Sequence, residues 1–253
     1  EIIVPTFTFI ATVNAVIYNK GIPIFMDCDD NCNLDINKFK NFLYENTFRK
    51  GNHVFNKKTK RRIFAVIPVH VWGGLVDLSK ITGVCKKYNL KIIEDATESL
   101  GSKYKIKKLK NKSSGTIGDI GCLSFNGNKI ITSAGGGAIL TKSKKYNKKV
   151  SYLINQATDK QFNYIHNNIG YNFRMSNINA AIGLAQLEKI SFYIQRKKLI
   201  NKFYQDFFKN SKYLKINTFP KYSNNNYWQT TMVINSKNPK LDIKKIRFNL
   251  NKH

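Results

Sequence analysis

The sequence predicts a three-layer α/β/α domain on a mostly parallel sheet, followed by the start of a smaller α+β domain. Three observations predict this. Short continuous apolar runs alternate with segments of helical period, as expected for strands covered on both faces. Several of these runs end in polar or ionisable residues, which parallel α/β sheets gather at their carboxyl edge. Beyond about residue 206 the order changes to strand, strand, helix.

In order, EIIVP (1–5) reads as a strand, and FIATVNAVIYNK reads as a helix closed by Gly21. IPIFMD (22–27) is a second buried strand, after which Asp35 caps INKFKNFLY. RRIFAVIPVHV (61–71) reads as one strand with Pro68 near its end, and Asp77 caps LSKITGVCKKYN. LKIIEDA (90–96) is a strand ending in two carboxylates; DIGCLSFN (119–126) and GGAILTK (136–142) follow. Residues 176–190 and 192–210 repeat apolar side chains at helical spacing. YLKINTFP, NNYWQTTMVINS and a helix start at KLDIKKIRF close the chain. The expected division is a large domain over 1–205 and the beginning of a truncated smaller one over 206–253. The chain opens inside a strand with no initiator Met and ends in the middle of a helical pattern, so a fragment cut at both ends is expected.

The 253 residues are 42% hydrophobic, enough for a substantial core, and carry a net charge of +28. That charge alone would fit a nucleic-acid binder. The lysines, however, are scattered and interleaved with Asn and Ile, as in INKFYQDFFKNSKYLKIN, which reads as compositional bias without a binding stripe. The densest basic run, KYKIKKLKNK (103–112), reads as a solvated loop or hairpin. Cys28, Cys32, Cys85 and Cys122 lack zinc-ligand spacing and the pattern of a disulfide framework, so free thiols in a reducing cytoplasm are expected, with no metal. No signal peptide or membrane-spanning apolar run is present, and no membrane partner is expected.

Four segments converge on the carboxyl edge: PTFTF, PVHVWGG, EDATES and SFNGNK. No GxGxxG follows a strand and opens a helix; GTIGDIG (115–121) has the wrong spacing and precedes a strand. No Walker A motif occurs either. What remains is a strand-end Asp, a strand-end Ser, and a Lys five residues beyond that Ser. A carboxylate facing an apolar pocket calls for a cation, and a pyridinium nitrogen is one. A desolvated lysine can form a Schiff base. Pyridoxal phosphate (PLP) chemistry uses this set, although a capping Asp, a turn Ser and an exposed Lys would produce the same letters.

The strings VPTFTFIATVNAV, IPVHVWGG, IIEDATESLGS, GTIGDIGCLSFNGNKIITSAGGGAI and GYNFRMSNINAAIGLAQLEKI, in that order, resemble the DegT/DnrJ-type sugar aminotransferases, PLP enzymes of fold type I. The resemblance covers essentially the whole chain. It implies that Lys129 is the catalytic lysine that holds PLP at rest and shuttles a proton during transfer. Asp95 matches the acid at the pyridine nitrogen, and Ser124 matches a phosphate ligand. Phe9 matches the aromatic stacked on the ring, with core packing as the alternative. Glu98 stands where the family has Gln or His beside the ring's phenolic oxygen, a departure that needs a proton to make that bond. Asn172 matches an asparagine that reaches the phosphate from the neighbouring subunit, which implies a homodimer with shared sites. His70 and Trp72 fit either a substrate-side role or, for His70, an internally satisfied histidine. Tyr171 and Arg174 are candidates for the interface.

The activity implied is amino transfer, from glutamate, to a nucleotide-linked 4-keto-6-deoxy sugar in bacterial polysaccharide or glycan biosynthesis. FNGNK resembles the branch serving UDP-N-acetyl-sugars, of the bacillosamine or legionaminic acid routes, and perosamine-type GDP-sugar enzymes share a similar GNK. Three alternatives stand beside it: a PLP-binding relative without transaminase activity, an inactive fragment, and a basic nucleic-acid module. Dehydratase relatives replace the lysine with histidine, so Lys129 argues against that branch.

Overall fold

The structure, a computed structural model, describes residues 1–159, 163–234 and 242–250. The first half holds β1 (Ile2–Pro5), α1 (Ile10–Tyr18), β2 (Pro23–Met26), α2 (Ile36–Glu45), β3 (Thr47–Lys50) and β4 (His53–Asn56). Next come β5 (Arg62–Ile63), β6 (Ala65–Val66), α3 (Leu78–Tyr88), β7 (Lys91–Asp95), β8 (Lys103–Tyr104), β9 (Ile120–Ser124) and β10 (Gly137–Leu140). The remainder is α4 (Lys144–Ile154), α5 (Asn177–Glu188), α6 (Ile190–Phe207), β11 (Leu214–Ile216), β12 (Ser223–Asn224), β13 (Met232–Ile234) and α7 (Ile243–Leu250).

Six strands form the central sheet in the order β10–β9–β7–β6–β1–β2. All neighbours are parallel except β10, which runs antiparallel to β9 along one edge. Consecutive residues of β1 supply both faces. Ile3 joins a cluster with Phe39 and Leu43 of α2 and Leu78 and Ile81 of α3. Val4 joins Val13 and Val16 of α1 with Ile67. The sheet is thus covered on both sides, the three-layer arrangement that the continuous apolar runs require. Each fully buried aliphatic or aromatic side chain contributes about 1.5–3 kcal/mol of transfer free energy.

The helix starts follow their capping residues. Asp35 accepts the N–H groups of Asn37 (2.8 Å) and Lys38 (3.0 Å), and Asp77 accepts that of Ser79 (3.1 Å). Ser176 Oγ likewise accepts the Asn179 N–H at the start of α5.

Several elements differ from the sequence pattern. The run 61–71 is not one strand: β5 belongs to a separate antiparallel sheet β3–β4–β5, while Ala65–Val66 forms β6 of the central one and Val69 bridges onward to Asp95 of β7. Pro68 lacks a ladder donor, and the chain turns at His70–Gly74. The basic run 103–112 is only partly solvated, because Tyr104 is buried and donates its hydroxyl to Val76 O, while β8 pairs with β12. A helix, α4, forms in the lysine-rich stretch after β10. Of the C-terminal elements, β13 and α7 lie among the described residues; 235–241, with the start of KLDIKKIRF, lie outside them.

GTIGDIG, which has no dinucleotide spacing, is a carboxylate cradle. The N–H groups of Gly115 (2.7 Å), Ile117 (2.6 Å) and Gly118 (2.6 Å) all donate to Glu94. The loop then lies flat on β9: a Cβ at Gly121 would stand 2.0 Å from Gly115 O. Gly121→Ala is therefore expected to destabilise the chain by about 1–3 kcal/mol, since the obstacle is backbone. An unchanged urea midpoint would contradict this packing.

Candidate active site

At the carboxyl edge of β1, β7 and β9 lies a cavity of about 700 Å³. Asp95 ends β7 and pairs in register with Cys122 of β9, so Asp95 and Ser124 emerge on the same rim. Five of the six residues expected at a cofactor site line this cavity: Phe9, Asp95, Glu98, Ser124 and Lys129. The sixth, Asn172, does not. It is exposed, in the segment that runs back along α4 and bridges to Asn155. Within one chain the structure does not bring it to the pocket.

Asp95 is held in place by hydroxyls. Thr12 Oγ1, on α1, donates to Oδ2 at 2.6 Å, and Thr97 Oγ1 donates to Oδ1 at 2.7 Å. Neither threonine was legible as a site residue, because Thr12 lies on a helix with no polar pattern around it. Phe9 is 74% exposed at the cavity rim, so it is not a core side chain. Phe7 meets Trp72 edge-on at 5.3 Å between ring centroids.

Glu98 is anchored as well, with Oε2 accepting the Trp72 N–H at 2.7 Å. Trp72 has φ 55°, a left-handed conformation uncommon for a bulky residue, and it turns the backbone N–H toward that carboxyl. Burial raises the Glu98 pKa above the usual carboxylate range, with the Trp72 N–H and the charge of Lys129 offsetting part of that rise and Asp95 adding to it. A proton on Glu98 is thereby made more accessible.

His70 is fully buried and internally satisfied. Its Nδ1 accepts the Val76 N–H at 3.1 Å, which leaves Nε2–H to donate to Glu94 at 3.0 Å. It does not line the cavity. The substrate-side role open to it in the sequence is therefore not supported. Cys122 does line the cavity, but burial first, then the charges of Asp95 and Glu94, push its thiol up to about 11. It stays protonated near neutral pH and is a poor nucleophile. Among the described residues no group of three or more His, Cys, Asp or Glu side chains can hold a metal.

Lys129 follows β9 in a tight turn, its N–H donating to Asn126 O at 3.1 Å. Its Nζ lies 4.4 Å from the centre of the Trp228 ring. Trp228 and Gln229 come from the chain's last forty residues and close one side of the cavity. No local pattern pointed to them.

A mostly parallel sheet that presents an amine and an oriented carboxylate across one apolar-walled cavity defines an α/β scaffold with a built pocket at its carboxyl edge. The comparisons narrow this: residues 1–253 match the model of the DegT/DnrJ/EryC1/StrS aminotransferase family, and the chain belongs to that family. GDP-perosamine synthase of Escherichia coli O157:H7 is 38% identical over 205 residues, covering 81% of this chain and 51% of that protein. The Campylobacter jejuni UDP-4-amino-4,6-dideoxy-N-acetyl-beta-L-altrosamine transaminase is 30% identical over 225 residues, 87% of this chain and 55% of the relative. Helicobacter pylori PseC, an aminotransferase involved in the biosynthesis of pseudoaminic acid, superposes with a TM-score of 0.83 at 24% identity, covering 98% of this chain and 63% of that one. The chain thus spans about half the length of the curated relatives it matches. Among the described residues no helix is long and apolar enough to cross a membrane.

Proposed function

We propose that the protein is a PLP-dependent aminotransferase that moves an amino group from glutamate to a nucleotide-linked 4-keto-6-deoxy sugar. The observation that carries this reading is the placement of Lys129 and Asp95 on the same cavity at the sheet's carboxyl edge. Relatives named as GDP-, UDP- and dTDP-sugar enzymes support the nucleotide-sugar class. The fold is shared with a GDP-4-keto-6-deoxy-D-mannose-3-dehydratase, so the fold does not choose between amination and dehydration. The residue at position 129 supports amination, since a lysine amine can bond a carbonyl carbon reversibly.

The residues present fit PLP. Asp95, oriented by two threonine hydroxyls, would accept from the pyridine N–H. Phe9 would offer an aromatic face, and Ser124 a hydroxyl for the phosphate. Glu98, when protonated, would donate to the phenolic oxygen, and burial favours that form. When bound, PLP supplies an electron sink for the carbon that exchanges its amino group. Lys129 Nζ would carry the proton between the amino-bearing carbon and the cofactor, off the carbon of glutamate in one half-reaction and onto the carbon of the sugar in the other. Apolar Ile67, Val69 and Ile93 exclude water from the Asp95 side of the cavity.

In the same reading, residues 1–205 form the PLP-binding large domain and 206–253 begin a smaller one, whose Trp228 and Gln229 add one wall to the cavity. The active unit is a homodimer in the cytoplasm, with Asn172 serving the partner's site. The exposed apolar side chains Ile178 and Leu184 of α5 and Phe203 and Phe207 of α6 support a covered surface there.

Asp95→Asn tests the reading. It keeps the size and loses the charge facing the pyridinium, and turnover is expected to fall by about 10²–10³-fold. The check is steady-state kinetics with a panel of 4-keto sugar nucleotides and glutamate. Unchanged turnover would remove Asp95 from the cofactor's partners.

A further inference from the structure

The chain's last forty residues send one segment, Asn225–Gln229, back onto the cavity, and Asn226 is its anchor. Asn226 is fully buried. Its Nδ2 donates to Glu98 O and Leu100 O, each at 2.9 Å. Its backbone N–H donates to Ser102 Oγ at 2.9 Å, and that hydroxyl donates on to Gly73 O at 2.8 Å. Gly73 has φ +94°, and a Cβ there would stand 1.8 Å from Asn226 Oδ1. Asn226 thus ties this segment to the loop carrying Glu98 by its side chain, and to the turn carrying Trp72 by its backbone N–H through Ser102.

The anchor aims a tryptophan. Asn226 Oδ1 accepts the Trp228 N–H at 2.9 Å, and Tyr227 between them adopts φ 55°, which turns the chain inward. Trp228 is 5% exposed. It makes two contacts with the lysine turn: Nε1–H donates to Asn128 O at 2.7 Å, and the indole face lies 4.4 Å from Lys129 Nζ. The first fixes the backbone that carries the lysine. The second holds the ammonium over an electron-rich face in a partly desolvated place.

We propose that Trp228, set by Asn226, is a positioning residue for Lys129, giving the ε-ammonium a defined resting place at the cavity whenever it is not bonded to the cofactor. This rests on reading Lys129 as the cofactor lysine. Without the indole, a four-carbon side chain samples many rotamers, and the fraction poised to attack a carbonyl falls. The device also links the smaller C-terminal region to the chemistry, since the residue that orients the lysine comes from beyond residue 206.

The test uses the full chain with its lysines reductively methylated with ¹³C-formaldehyde, and the Lys129 resonance identified by its loss in Lys129→Arg. The indole ring current is expected to move that resonance upfield of the other lysines. Trp228→Leu is expected to return it to the common envelope, while Trp228→Phe keeps an aromatic face and most of the displacement. In unmethylated protein mixed with PLP and reduced with borohydride at timed intervals, Lys129 is expected to be trapped about tenfold more slowly in Trp228→Leu than in the parent, the scale of freeing a long side chain from one set of rotamers. Trp228→Phe is expected to stay within about threefold of the parent, because a ring still confines the side chain. A Lys129 resonance that sits with the other lysines in the parent, or does not move in Trp228→Leu, overturns the positioning role and leaves the proposed function standing. Trapping on a different lysine overturns the functional reading itself, and this inference with it.

Discussion

Lys129→Ala is expected to lower amino transfer by at least about 10⁴-fold while leaving the folded state nearly unchanged. The asymmetry follows from its contacts. Its backbone N–H donates to Asn126 O, a bond that alanine keeps. Its side chain contributes a cation–π contact at a partly exposed site, worth about 0.5–1 kcal/mol there. The residue therefore carries chemistry and little architecture. Turnover assays with glutamate and a keto-sugar nucleotide check the first half, and sedimentation of the variant checks the second. A variant that loses its oligomeric state would show that the lysine holds structure instead.

The largest stability effect is expected at the neighbouring strand-end carboxylate. Glu94 is completely buried and accepts from His70 Nε2–H and from the N–H groups of Gly115, Ile117 and Gly118. Glu94→Ala leaves all four donors without their acceptor, and a loss of about 3–5 kcal/mol is expected. That is a large share of the roughly 5–15 kcal/mol by which domains are stable. The site also gives a pH dependence. Burial pushes the Glu94 carboxyl up, but the His70 ring and the N–H groups of Gly118 and Gly115 outweigh it and leave the pKa below its ordinary 4.5. A depressed carboxylate stabilises the fold fully above the unfolded-state value, and that contribution is lost as pH falls through the folded one. The urea midpoint should therefore drop below about pH 4.5, and drop less steeply in Glu94→Gln, which has no such proton to take up. Identical acid limbs for the two proteins would rule out Glu94 as a source of acid sensitivity.

The two adjacent carboxylates that open EDATES, Glu94 and Asp95, show what a sequence discloses about a site and what it hides. Both read as strand-end acids, and Asp95 stood out because a Ser and a Lys follow at the next strand end. That Glu94 turns inward to a backbone cradle depends on the GTIGDIG loop folding over it, 21 to 24 residues away. The main strands and the helices α1, α2, α3, α5 and α6 were legible from apolar period and caps, since those signals are local. The β3–β4–β5 sheet and α4 were not, because lysine-rich segments carry little apolar period. Trp228 was the least visible of all. Its meaning comes from a bond spanning 100 positions, from its indole N–H to Asn128 O. That bond takes only the backbone carbonyl of Asn128, so it places the residue before the lysine without accounting for its side chain.

The site of cofactor attachment is the most direct test of the role of Lys129. The protein is incubated with PLP, reduced with borohydride, digested and mapped by mass spectrometry. A single pyridoxyl group on Lys129 is the predicted result. A pyridoxyl group on another lysine, or none on any, would contradict it.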